Sequence, residues 1–375
     1  MEHADNLIIG AGPAGLATAG RMRKAGLAFT IIEQHDSVAS SWRSHYDGLH
    51  LHTVNELSHL PHLPFPEGYP LYVSKEDLVS YYQQYAENFF IKPIFNQKVT
   101  RITQDDGHWQ VEAEDGSNYQ TKNVIVATGI NRIPKMPSWD GQDQFQGDII
   151  HASTYKNATP YKDKKVLIVG MGNTGAEIAL HFARQGDNPH VSLRGPVHFL
   201  PRDINGRPTQ LTALMLAKIP FGLGDSLGSI IRKIVVGDLS KYGISTPKLS
   251  PTKQLKVTGR TPVVDIGTLE QIKKRNITIL PDIERFGVRE VQFTNGETKP
   301  FDLVILATGY YAQIDDFMDD AADFVNKDGL PSQAVFDSTH RGLYFVGFNN
   351  YVPGGALGVI NSESEEVVNH ILGKR

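Results

Sequence analysis

Three features of this 375-residue sequence predict an α/β fold built from two units of one plan. Two apolar runs, Leu7-Ile8-Ile9 and Val166-Leu167-Ile168-Val169, lead straight into glycine-rich turns, Gly10-Ala11-Gly12-Pro13-Ala14-Gly15 and Gly170-Met171-Gly172-Asn173-Thr174-Gly175. Strand and helix signals alternate around both turns, as in doubly wound proteins. A hairpin signal followed by a strand closing in Ala-Thr-Gly also occurs twice. Strand, glycine turn and helix in that order hold the pyrophosphate of a dinucleotide. The predicted fold is therefore α/β with two Rossmann-like dinucleotide-binding domains.

In chain order, residues 7–9 read as the first strand and 15–25 as its helix. Residues 29–32 read as the next strand, which ends in Glu33 and Gln34. Asp115-Gly116 is a hairpin signal, and Val124-Ile125-Val126 then runs into Ala127-Thr128-Gly129. The second unit repeats the plan with a strand at 166–169, a helix at 174–185 and a strand at 190–193 that ends in Arg194. Its hairpin signal is Asn295-Gly296, and residues 303–306 run into Ala307-Thr308-Gly309. The stretch 201–256 is less regular, with an amphipathic helical part at 210–218. Residues 362–372 predict a final helix with Val367, Val368, Ile371 and Leu372 on its apolar side. The repeat implies one domain interrupted by the other. The first covers 1–157 and returns at 311–375; the second, 158–310, is entered through the polar stretch 156–164.

Composition narrows the function. The net charge of -4, with basic residues scattered, points away from nucleic acid and from a charged membrane surface. No uncharged apolar run is long enough to span a bilayer, and the first strand begins too early for a signal peptide, so a cytoplasmic protein is expected. The chain has no cysteine, which excludes disulfides, thiolate metal sites and a catalytic dithiol. Five histidines fall within 45–62, at His45, His50, His52, His59 and His62, but their spacing matches no helical ligand pair and no carboxylates cluster with them. No metal is expected. His50 and His52 alternate with Leu49 and Leu51, so on a strand both would share a face.

At the first turn, Gly10 permits the tight bend, Gly12 lets backbone approach the pyrophosphate, and Gly15 lets the helix pack on the strand. The helix N-terminus offers N–H groups and a positive dipole to phosphate. Glu33 is placed to accept hydrogen bonds from ribose hydroxyls. Arg194 occupies the corresponding place in the second unit, where a guanidinium can pair with a 2′-phosphate that a carboxylate would repel. That favours NADPH over NADH, with Arg202 as an alternative partner for the phosphate.

A further motif, Phe145-x-Gly147-x3-His151-x3-Tyr155-Lys156, precedes the second turn. Together with both turns, Glu33, Ser41-Trp42, Leu49-His50-Leu51-His52-Thr53 and Ala307-Thr308-Gly309-Tyr310, it resembles the flavin-containing monooxygenases, and within them the YUCCA-type enzymes of plants and their bacterial relatives. Val197-His198-Phe199-Leu200-Pro201-Arg202, Gly259-Arg260-Thr261-Pro262-Val263-Val264-Asp265 and Gly342-Leu343-Tyr344-Phe345-Val346-Gly347-Phe348 are similar to stretches of that subgroup. The resemblance covers essentially the whole chain. Tyr155 stands where Baeyer–Villiger enzymes normally carry Trp. There are departures. Ala39-Ser40 stands where the general family has two glycines before the Trp. His52 falls where the family has an active-site Asn. The C-terminal membrane anchor of many animal members has no counterpart.

The resemblance implies that Gly10, Gly12, Pro13, Ala14, Gly15, Glu33 and Gln34 hold the ADP half of FAD. It places Ser41, Trp42, His52 and Thr53 along the flavin, Val99 near the adenine, and Ala127, Thr128, Gly129, Gly347 and Gly355 around the same cofactor. Gly170, Gly172, Asn173, Thr174, Gly175 and Arg194 would hold NADPH, and Ala307, Thr308 and Gly309 would also be cofactor-binding. Phe145, Gly147, His151 and Tyr155 would form a linker motif that tunes nucleotide position or packs the domain junction. His52 is the candidate catalytic residue. The implied activity is an NADPH- and oxygen-dependent flavin monooxygenase forming a C4a-hydroperoxyflavin. Its substrate would be a small molecule, either a sulfur or nitrogen nucleophile or a 2-oxo acid such as indole-3-pyruvate. An uncoupled NAD(P)H oxidase or reductase, a non-catalytic nucleotide-binding protein, and assembly as a homodimer stay open.

Overall fold

The computed structural model describes residues 2–217, 219, 223–336, 340–352 and 354–374. Lys218, the last position of the helical part expected at 210–218, lies outside them; the described helix there is Thr209–Ala217. The chain forms two compact units. One comprises Met1–Ser44, Gly48–Ile133 and Tyr310–Arg375, and the other His45–Asp47 and Pro134–Gly309.

The first unit is organised by a seven-stranded sheet. Its main order is Thr30–Ile32, Glu2–Ile9, Asn118–Val126, Leu343–Phe345 and Val335–Phe336, and only the last pairing along this path is antiparallel. The antiparallel hairpin Val99–Asp105 and His108–Ala113 joins along Asn118–Val126. Leu7, Ile8, Val124, Ile125 and Val126 have no exposed surface. Burial on both faces explains why these strands read as continuous apolar runs rather than alternating ones. The helix Pro13–Ala25 follows the first turn, with Pro13 at a position whose amide has no helical partner to lose. It stops at Gly26, whose φ of 73° is left-handed, with Arg23 and Lys24 against the negative end of the dipole. A second helix, Lys75–Asn88, is capped by Ser74, which accepts the amide of Asp77. It buries Tyr81, Tyr82 and Tyr85 completely.

The second unit carries a five-stranded, wholly parallel sheet ordered Thr278–Leu280, His190–Ser192, Val166–Val169, Leu303–Leu306 and Asp148–His151. The hairpin signal at Asn295-Gly296 lies between Glu290–Phe293 and Thr298–Pro300, which form an antiparallel sheet with Ile283–Phe286. Asp148–His151 pairs residue for residue with Leu303–Leu306, so the second unit begins at Pro134, well before the polar stretch at 156–164. The two helix–strand units thus follow the predicted plan, and the second is inserted in the chain of the first.

The final helix is Ala356–Ile371, opened by Gly354-Gly355, and the apolar pattern at 362–372 covers its later part. The irregular stretch also holds Leu223–Val236 and Pro251–Thr258, two helices with no counterpart in the sequence reading. Gly and Pro punctuation obscured both.

Candidate functional site

The two glycine turns superpose in their chemistry, position by position. Gly10 has φ +108° and Gly170 +105°, a region closed to other residues. A Cβ on Gly10 would lie 2.6 Å from the carbonyl oxygen of Ala127, and one on Gly170 2.7 Å from that of Ala307. A Cβ on Gly15 would lie 1.8 Å from the oxygen of Gly10, and one on Gly175 2.1 Å from that of Gly170. Gly12 and Gly172 differ in kind: a Cβ on either meets nothing within 4 Å. Both are helix N-caps without a side-chain cap, so no cap side chain covers the first turns of Pro13–Ala25 and Asn173–Gln185. Uncapped amides beside a missing side chain make a cradle for an anionic group.

Around the first turn the polar groups are arranged for a nucleotide. Glu33 is buried; its Oε2 accepts the amide of Ala11 at 2.7 Å and its Oε1 that of His35 at 3.0 Å. The carboxylate is thereby held at the glycine turn with acceptor capacity left over. Gln34 is exposed, with its amide nitrogen beside the ring of His35. The carbonyl of Ala11 accepts the amide of Ala39, which ties the turn to the short helix Ser40–Ser44. Ser41 in that helix is exposed, and Trp42 packs edge-on against Tyr82 with centroids 6.4 Å apart. Ala39 has φ +55°, a left-handed value at the position where the resembled family has glycine. The Thr128 hydroxyl is buried and has no hydrogen-bond partner among the described residues, whereas its counterpart Thr308 donates to Lys135 O at 2.6 Å. A buried orphan hydroxyl beside an open cradle fits a bound polar group.

The loop 51–54 is not the regular strand that its alternation suggests. His50 forms an isolated bridge with Ser74, Leu51 donates its amide to Val73 O, and His52 is half-buried beyond them. Thr53 bonds Ser58 through their hydroxyls at 2.7 Å, and a Cβ on Gly355 would lie 2.7 Å from Thr53 Cγ2. The structure therefore brings the His52-Thr53 loop to the N-terminus of the last helix, where Gly355 is an N-cap without a side-chain cap. Val99 begins a strand and pairs with Ala113. Gln97, which the sequence reading missed, is the residue whose amide reaches Glu33 O, at 2.8 Å.

In the second unit Asn173 turns its side chain inward: Oδ1 accepts the amide of Val264 at 2.8 Å. Thr174 is half-buried in the first turn of the helix. Arg194, two residues past the strand, is exposed and makes no hydrogen bond or ion pair among the described residues. Arg202 Nε is 3.3 Å from Asp203 Oδ2. Of the two cations, Arg194 is the one left available to a phosphate.

The residues of the linker motif are held by close local contacts. A Cβ on Gly147 would lie 2.6 Å from the ring of Phe145 and 2.9 Å from Asp302 O. His151 Nδ1 accepts the amide of Ser153 at 3.1 Å, which leaves Nε2 to donate to Gly309 O at 3.1 Å. Burial lowers its pKa, against the bond to Gly309. With both ring nitrogens engaged, His151 ties the end of the strand Asp148–His151 to Gly309. Tyr155 is fully buried, stacks on Tyr161 and lies 3.4 Å from His181 Nδ1 through its hydroxyl. Burial raises its pKa well above the usual tyrosine value. Among the described residues no group of three or more potential ligands gathers for a metal, and no helix is long and apolar enough to cross a membrane.

A fold with two such cradles defines a two-dinucleotide α/β protein, and the comparisons say of which kind. Residues 7–204 match the family described as pyridine nucleotide-disulphide oxidoreductase. The indole-3-pyruvate monooxygenase YUCCA1 of Oryza sativa subsp. japonica is 38% identical, over 91% of this chain and 86% of its own length. The indole-3-pyruvate monooxygenase YUCCA6 of Arabidopsis thaliana is 37% identical, over 93% and 87%. The chain belongs to the flavin-containing monooxygenase family, on its YUCCA-like branch. A flavin-containing monooxygenase from Stenotrophomonas maltophilia shares the fold with a TM-score of 0.76 at 20% identity, covering 100% and 99% of the two chains. An oxidised steroid monooxygenase bound to NADP does so with 0.77 at 18%, covering 99% and 86%.

Proposed function

We propose that this protein is an NADPH- and oxygen-dependent flavin monooxygenase acting on a 2-oxo acid, with indole-3-pyruvate the first candidate. The observation that carries the reading is the duplicated cradle, with an acid after the first and an unengaged arginine after the second, in a chain 38% identical to an indole-3-pyruvate monooxygenase over 91% of its length. FAD is assigned to Gly10, Gly12, Gly15, Glu33 and Thr128, and NADPH to Gly170, Gly172, Gly175 and Arg194. When bound, the pair supplies hydride transfer and oxygen activation. The protein's share is to bind, orient and keep water out. Glu33 takes ribose hydroxyls, the two uncapped helix ends take pyrophosphates, and the His52-Thr53 loop borders the place given to the flavin. No nucleophilic side chain is called for. With NADPH and dioxygen consumed together, one oxygen atom enters the acid left after carbon dioxide departs, and the other leaves as water.

The test is oxygen uptake with NADPH across sulfides, amines, ketones and indole-3-pyruvate, with product analysis. Indole-3-pyruvate should give the largest uptake above background and a matching amount of the one-carbon-shorter acid. Uptake that ignores every substrate and returns as hydrogen peroxide would leave an oxidase instead. That second reading draws its support from His52, which stands where the resembled family has Asn. A neutral His has one donor and one acceptor, against the two-donor amide of Asn. His52→Asn should therefore shift the ratio of acid to peroxide formed per NADPH, towards acid. An unchanged ratio would remove His52 from oxygen chemistry and leave it a packing residue.

A further inference from the structure

One carboxylate of the last helix is half-buried. Glu363 stands between Ile360 and Val367, and its Oε2 accepts the amide of Gly347 at 2.7 Å. The amides of Phe348 and Asn349 also act on that carboxylate, pulling its pKa down. One backbone N–H of the loop 347–349 is thus bonded to a carboxylate of another element, and the next two favour its ionised form. That loop follows the strand Leu343–Phe345 and is closely packed at Gly347. A Cβ on Gly347 would lie 3.1 Å from Ala14 Cβ, in the first turn of the helix Pro13–Ala25, and 3.2 Å from Ile360 Cγ1. Gly347 has φ +88°.

We propose that Glu363 is a positioning residue for FAD: its ionised carboxylate gathers the 347–349 amides and sets that loop against the first turn of the first helix. The proposal rests on the assignment of FAD to that turn. The charged neighbours are few. Glu365 and Glu366 lie on the same helix. Arg21, from the first helix, is engaged by Asn361, Ser364 and Glu365. Tyr344 and His370 bond each other further along.

The carboxylate is costly to hold charged. Burial, chiefly, and then Glu366 push it from its ordinary 4.5 up to about 7, against the pull of the three amides. With the folded pKa raised, the neutral form favours folding. That contribution is fully present below pH 4.5 and is lost as pH rises through about 7. The ionised form, however, is the stronger acceptor for the loop. Glu363 thus trades stability of the empty protein for order in the loop.

The test titrates flavin-free wild type and Glu363→Gln with FAD by calorimetry at about pH 6 and about pH 8, on either side of the carboxyl's midpoint. Deuterium exchange is followed at Gly347, Phe348 and Asn349. At the higher pH the variant should bind FAD about fivefold more weakly, the gap between a charge-assisted and a neutral hydrogen bond. It should also exchange those amides faster, yet melt at a higher temperature than wild type when empty. At the lower pH the two proteins should converge. Equal affinity and equal exchange at the higher pH would overturn the proposal. Wild type that takes up no FAD would instead sink the assignment of the first turn. Wild type alone supplies a second reading: exchange at the three amides, corrected for intrinsic rate, must slow as pH rises through about 7.

Discussion

Gly12→Val should give a folded protein without flavin, and Gly172→Val a yellow protein that no longer takes up NADPH. The backbone at Gly12 has φ −77° and at Gly172 φ −87°, ordinary values for any residue. A Cβ at either position meets nothing within 4 Å. The empty fold therefore has no reason to reject the side chain, and its melting temperature should stay close to wild type. A bound pyrophosphate does have a reason, because the valine fills the space through which it reaches the first-turn amides. Each charge-assisted hydrogen bond lost is worth about 1.5–3 kcal/mol, so losing two weakens binding more than about a hundredfold. Flavin content by absorbance and NADP binding by calorimetry read the two outcomes separately. Gly15→Ala is the contrasting control. Its Cβ would lie 1.8 Å from a backbone oxygen, so it should fail to fold rather than merely lose flavin. A Gly12→Val protein with stoichiometric flavin would show that the first turn does not hold FAD.

Arg194→Ala should weaken NADPH about tenfold to a hundredfold and leave NADH almost untouched, because only NADPH carries a phosphate to pair, at about 1.5–3 kcal/mol. Arg194 is exposed and unengaged among the described residues, whereas Arg202 sits against Asp203. The measurement is kcat/KM for flavin reduction by each nucleotide. Equal losses for both nucleotides would move the phosphate elsewhere, and an Arg202→Ala variant with the selective loss would place it there.

The parts of this molecule that were legible in its sequence are those whose causes are local. A fully apolar run such as Val166–Val169 needs only its own residues to be read as a buried strand, and its described bounds coincide with the run. Gly10, Gly15, Gly170 and Gly175 are demanded by backbone atoms a few residues away or at the neighbouring strand's end, so the spacing alone carries them. What was not legible depends on distant partners. Asp148–His151 belongs to the second sheet because it pairs with Leu303–Leu306, far along the chain, and nothing in its own residues says so. The bond that Asn173 Oδ1 accepts from the amide of Val264, 91 residues further on, is of the same kind. Glu363 stands among Glu365 and Glu366 and reads as one more solvated acid; only its place beside the stripe of Ile360, Ser364 and Val367 hinted that it is half-buried.

The central claim, oxygen transfer driven by NADPH through a bound flavin, is tested most directly with isotopically labelled dioxygen. Purified yellow protein, NADPH and indole-3-pyruvate are mixed under the labelled gas, and the acid product is weighed by mass spectrometry. The account predicts one labelled oxygen atom in each molecule of acid formed, with NADPH consumed in equal amount. Acid without label, or NADPH consumed with all the label recovered in hydrogen peroxide, would contradict it.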